Sequence, residues 1–226
     1  MPREAPRQFP LDLPVETRFG AEDFLVALHN AGAHRLTTGW PNWPDRILLL
    51  VGPEGSGKSH LGAIWRRQVG AHGARDVDDA LAATLGSDEP FVFLDDGDRA
   101  DETTLFHLLN AMRERRGFLL LAARTTPTLL WPRLPDLASR LRALPVARLD
   151  PPDEATVTAV LVKLLDDRQL RVETGVVEFL ARRAERSLGA IRSLVAELDR
   201  ESLARGRAVG RGLAADVLAR MEAEGD

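Results

Sequence analysis

The chain has 226 residues, enough for one large domain or two small ones with a real core. It has no cysteine, which excludes a disulfide framework and thiolate chemistry and makes a reducing cytoplasm the expected compartment. The net charge of −4 argues against wholesale nucleic-acid binding, and no apolar run approaches membrane-spanning length.

In chain order, residues 1–17 are proline-rich and without helical periodicity, which predicts an extended arm. Within it lies Gln8-Phe9-Pro10-Leu11-Asp12-Leu13. Phe24, Leu25, Leu28 and Ala31 recur at helical spacing and predict a helix over 21–33. A loop with Trp40, Pro41, Trp43 and Pro44 follows, and then the apolar run Ile47 to Val51, read as a buried strand.

Next come Gly52, Pro53, Glu54, Gly55, Ser56, Gly57, Lys58 and Ser59, a full match to GxxxxGK[ST]. His60 opens the helical pattern after them. Strand, glycine loop and helix in that order form a phosphate-binding context, in contrast to a glycine-rich turn that binds nothing. The glycines let backbone N–H groups point inward at an anion, and the helix start offers more of them. Lys58 is expected to reach the β/γ-phosphates, and Ser59 to hold Mg²⁺. Lysine occurs only at Lys58 and Lys163 in an otherwise arginine-based chain, which gives the loop lysine added weight.

Further along, a helix is predicted over 58–69, a break at Gly70 to Gly73, and a short helix over Val77 to Leu85. Phe91-Val92-Phe93-Leu94 reads as a strand ending in Asp95 and Asp96, and it is expected beside the loop strand. The two acids are either a pair of solvated loop carboxylates or, with the phosphate loop upstream, a magnesium-holding and a water-orienting group. A helix over Thr103 to Arg115, a strand over Phe118 to Ala122, a short helix over Leu134 to Leu141 and a strand over Val146 to Leu149 complete an alternation. That alternation predicts an α/β fold with a parallel sheet and helices on its faces. Beyond Pro151-Pro152-Asp153 the strand pattern stops, and four amphipathic helices predict a small all-α domain. The expected division is an arm over 1–17, an α/β nucleotide-binding domain over 18–150 and a helical domain over 151–226. From spacing alone, Arg140 and Arg192 read as solvated helix charges. The histidines show no metal-ligand spacing.

Together these residues resemble the AAA+ ATPases of the DnaA clade, over about Phe19 to Ala208. Phe24-Leu25-Val26 followed by Asn30 is similar to the clade's FVxGxxN segment, which packs near the adenine. GPEGSGKSHL resembles its Walker A motif, and FVFLDDGD its Walker B motif with Asp-Asp in place of Asp-Glu. LFHLLNAM resembles the following helix. SRL with LDPPD resembles the arginine-finger segment and the start of the lid, and AIRSL the sensor II helix. The resemblance implies ADP or ATP with Mg²⁺ as cofactors, Ser59 and Asp95 as metal-holding groups, and Asp96 as water-orienting. It also raises Arg140 and Arg192 to phosphate-contacting residues, and implies contact with copies of the chain or with DnaA.

The departures are informative. The helix-turn-helix domain by which DnaA reads origin boxes is expected to be missing, as is its N-terminal domain, and the insert after Walker A is expected to be reduced. Arg124 stands where sensor I offers a small polar residue, which implies weak or partner-dependent hydrolysis. Within the clade this combination resembles the Hda group, regulatory inactivators of DnaA. Gln8, Phe9, Leu11 and Leu13 are similar to the peptide by which that group docks on the DNA-polymerase sliding clamp; the alternative is a proline-rich tail with no such role. A helicase loader or another clade member acting on single-stranded DNA is the rival reading. No sequence-specific DNA contact and no membrane association are expected.

Overall fold

The computed structural model describes residues 24–27, 29–128 and 131–225. They divide into two compact units, one ending at Pro151 and the other starting at Pro152. The arm with Gln8, Phe9, Leu11 and Leu13 lies outside the described residues.

The first unit is built on five parallel strands: β1 (Ile47–Val51), β2 (His72–Ala74), β3 (Phe91–Leu94), β4 (Phe118–Ala123) and β5 (Val146–Arg148). Their order across the sheet is β2-β3-β4-β1-β5. All of β1 and β4 is buried, as continuous apolar runs must be when helices cover both faces of a sheet. The period of two sorts the strand residues. Ile47, Leu49, Val51, Leu119 and Leu121 face α3 (Val77–Leu85), α4 (Glu102–Glu114) and α5 (Pro135–Arg142). Leu48, Leu50, Leu120, Ala122 and Phe93 face α2 (Lys58–Val69), together with Ala33 of α1 (Ala31–Thr38), Phe24 and Trp43.

Three expectations are corrected. The strand carrying Asp95 is not beside the loop strand: β3 pairs with β4, and β4 pairs with β1, so β4 stands between them. The helix expected from residue 21 begins at Ala31. The Asn30 side chain accepts from Ala27 N–H at 2.8 Å and donates to the Leu25 carbonyl at 2.9 Å, which ties Asn30 back to both residues. In the stretch read only as a break, His72-Gly73-Ala74 forms edge strand β2, paired with Val92 to Leu94. Gly73 leaves room for the Arg66 guanidinium, which a Cβ would meet at 2.4 Å.

The second unit consists of α6 (Glu154–Asp167), α7 (Thr174–Arg183), α8 (Leu188–Arg205) and α9 (Arg211–Gly225). Its core holds Val157, Leu161, Leu180, Ile191, Val195, Leu198 and Val217. Asp153 caps α6 by accepting from Thr156 N–H at 2.8 Å, and Ser187 caps α8 through Ala190 N–H at 3.2 Å. Gly206, at φ +58°, ends α8 in the left-handed conformation that L side chains disfavour. Among the described residues no helix is long and apolar enough to cross a membrane.

Candidate nucleotide-binding site

The site is where β1 delivers the chain to α2. The strand is locked by its neighbours up to Val51, and the backbone then leaves the sheet at Gly52. Only glycine fits there: a Cβ would lie 2.6 Å from the Leu149 carbonyl oxygen and 2.6 Å from Ser56 Oγ. Gly52 N–H donates back to the Ala123 carbonyl at 3.2 Å. Gly55 (φ +69°) and Gly57 (φ +102°) supply the left-handed turns that curl the loop. Gly57 is the N-cap of α2 and brings no side chain to cap it, so the first N–H groups of a 12-residue helix are presented at the loop.

Lys58 is buried, and its Nζ donates to the carbonyls of Gly52 at 2.8 Å and Pro53 at 2.9 Å. Burial lowers its pKa below the usual lysine value; Asp95, Asp96 and Asp98 act against that shift, and Arg124 adds to it. Ser59 is exposed beside it, as are Pro53 and Glu54. Ser56 is turned inward with its hydroxyl unpaired. His60 is also turned inward, its ring edge-on to Phe24 at 5.2 Å. The loop thus offers curled backbone, a helix start and one buried ammonium, a set that fits a polyphosphate.

Asp95 and Asp96 follow β3. Asp96 takes up φ +49° and donates its N–H to Asp95 Oδ1 at 3.0 Å. Because β4 lies between β1 and β3, the residue after it emerges between the loop and these acids. That residue is Arg124. Its backbone N–H donates to Asp98 Oδ1 at 3.2 Å. Its guanidinium lies 2.9 Å from Glu54 of the loop and 3.9 Å from Asp96. The sequence marks Arg124 as an unusual residue but holds no sign of its pairing with Glu54, which depends on the strand order.

Arg140 and Arg192, expected at the phosphates, both lie on helices. Arg140 sits in the last turn of α5 with its guanidinium 4.7 Å above the Phe106 ring of α4. Arg192 lies on α8 of the second unit. Among the described residues no group of three or more His, Cys, Asp or Glu is placed to hold a metal on its own. An ion here would draw instead on a hydroxyl such as that of Ser59, a carboxylate and the phosphates themselves.

The chain is 23% identical over 257 aligned positions to the chromosomal replication initiator protein DnaA of Thermus thermophilus, covering 100% of this chain and 58% of that protein. Domain III of the Thermotoga maritima replication initiation protein DnaA has the same fold, with a TM-score of 0.76, 21% identity, and coverage of 92% of this chain and 98% of that one. The fold is that of domain III of that DnaA. A replication initiator DnaA bound to AMPPCP and single-stranded DNA is also similar, with a TM-score of 0.61 at 18% identity over 77% of this chain and 62% of that one. No protein-family model matches the chain. The chain spans little more than half the length of the curated DnaA relative it matches.

Proposed function

We propose that the chain is a nucleotide-binding AAA+ regulator of chromosome replication initiation that works in the cytoplasm. It docks on the DNA-polymerase sliding clamp and promotes hydrolysis of ATP bound to DnaA, as the Hda group does. The observation that carries this reading is a complete phosphate loop, with buried Lys58, in a DnaA-like AAA+ fold. The Gln8 to Leu13 peptide supports the clamp contact. On this reading residues 1–17 are the docking arm, 18–150 the nucleotide domain and 151–226 the lid.

Gly52 to His60 would hold the phosphates of ADP or ATP with their backbone N–H groups, and Lys58 would neutralise them. Ser59 and Asp95 would hold Mg²⁺, which spreads phosphate charge when bound. Asp96 would orient water, and Arg192 would close on the phosphates from the lid. Arg140 would serve DnaA's nucleotide, or that of a second copy, from the outside. Because Arg124 replaces a small polar group, this chain's own turnover would be weak.

The test is a clamp pull-down and a clamp-dependent DnaA-ATP hydrolysis assay with Gln8→Ala, Leu11→Ala and Leu13→Ala combined. Burying two leucines contributes roughly 3–6 kcal/mol before ordering costs, a reversible contact that their loss abolishes. Normal clamp binding by the triple variant would remove the clamp from the reading. Similarity to a DnaA bound to single-stranded DNA favours the second reading, an AAA+ helicase loader or related ATPase on single strands. Salt-dependent binding to single-stranded DNA with stimulated turnover would select it.

A further inference from the structure

Two cations serve the loop, and they are held differently. Lys58 is buried and satisfied by the carbonyls of Gly52 and Pro53. Arg124 is about one-third exposed and is paired with a Glu54 carboxylate that is 78% exposed. An ion pair this open to water is worth little, so it exchanges readily for a stronger anion. The backbone of Arg124, just after β4, is held by its N–H bond to Asp98. Only the guanidinium is free to choose among partners, and those within reach are Glu54 and Asp96.

The choice depends on which phosphate comes near. On the reading above, Asp95 and Asp96 would act on the terminal phosphate of a triphosphate, and Arg124 lies 3.9 Å from Asp96. A terminal phosphate carries more charge than a carboxylate and accepts two parallel N–H bonds from a guanidinium. The last phosphate of a diphosphate would remain in the backbone cradle with Lys58.

Resting on the nucleotide-binding reading above, we propose that Arg124 and Glu54 form an exchangeable pair that distinguishes triphosphate from diphosphate. Arg124 stays on Glu54 with ADP and leaves it for the terminal phosphate of ATP. Glu54 is then released at the tip of the loop. Arg124 determines specificity in this exchange, and Glu54 acts only through it.

The experiment is a competition titration of a fluorescent nucleotide with ADP and with a non-hydrolysable ATP analogue. The full chain is compared with Arg124→Ala, Glu54→Gln and the double variant. Arg124→Ala lowers the ratio of triphosphate to diphosphate affinity by about tenfold. Glu54→Gln removes the competitor and raises that ratio by about two- to fivefold. In the Arg124→Ala background, Glu54→Gln changes nothing. An unchanged ratio in Arg124→Ala, or an equal Glu54→Gln effect in both backgrounds, overturns the proposal. Glu54 is exposed, so its variant folds and decides the matter even where Arg124→Ala does not fold. Failure of the unmodified chain to bind either nucleotide overturns the nucleotide-binding reading itself, an outcome distinct from binding without discrimination.

Discussion

Lys58 donates its ammonium to the Gly52 carbonyl at 2.8 Å, so the loop's cation is held by the loop's own backbone. Burial sets its pKa below the usual lysine value. A phosphate beside it favours the charged form and raises the pKa again. Binding therefore takes up protons in the alkaline window between the free and bound values, and ADP affinity weakens as pH rises through the lowered value. In Lys58→Ala that alkaline loss disappears, and affinity falls by at least about tenfold, on the order of 1.4 kcal/mol. Calorimetry in two buffers of different ionisation heat measures the proton uptake, and a flat alkaline profile in the unmodified chain would refute the linkage.

Gly62 of α2 lies against Phe93 of β3, and a Cβ at that position would come 2.2 Å from the ring. Gly62→Ala is expected to cost about 1–3 kcal/mol, because both the helix and the strand are fixed by the same core. Gly175, on α7, has open space around it, and Gly175→Ala is expected to be neutral or slightly stabilising. Thermal melts of the two variants separate a packing requirement from a general effect of alanine. Equal melting temperatures would show that the sheet yields to the methyl group.

Arg140 stacks over Phe106, which presents it as a planar cation rather than a solvated charge. Removing it is expected to abolish stimulation of DnaA-bound ATP hydrolysis, a loss of several orders of magnitude if it completes the partner's site. Arg140→Lys is expected to recover little, since an ammonium lacks the fork geometry. Single-turnover hydrolysis with clamp and DnaA present tests this. Full stimulation by Arg140→Ala would remove the residue from the mechanism.

Intrinsic ATP hydrolysis is expected to run well below about 1 s⁻¹, the low end of ordinary enzymes. On the proposed reading, phosphoryl transfer would depend on positioning, and Arg124 would offer charge to phosphate where a small polar group would place water. A steady-state phosphate-release assay on the isolated chain suffices. Fast, sustained turnover without any partner would contradict the assignment of Arg124.

The stretches legible from sequence are those with a continuous apolar run, a clear helical period or a capping residue. β1, β3 and β4 are apolar runs covered on both faces, and α3 starts where Asp76 accepts from Asp79 N–H and ends at Gly86. The missed pieces have other causes. β2 is His-Gly-Ala, without an apolar pattern, and is held by its pairing to β3. α1 starts later than the periodicity suggests because the Asn30 side chain bonds back to Leu25 and Ala27. Strand order is not legible in the sequence, because periodicity describes a strand's faces and not its neighbours. The site divides along the same line. The motif names the loop residues, whereas the Arg124 contacts to Glu54 and Asp96 exist only because β4 separates the strands that carry them.

The chain has four tryptophans and no tyrosine, so its near-ultraviolet emission comes from indoles. Trp65, fully buried on α2, is stacked on Trp43 with ring centroids 5.1 Å apart. Two indoles that close share their excitation, and their dichroism depends steeply on the angle between them. The helix carrying Lys58 therefore has an intrinsic optical label: a nucleotide that moves α2 by a fraction of an ångström changes the spectrum of this pair with no dye attached.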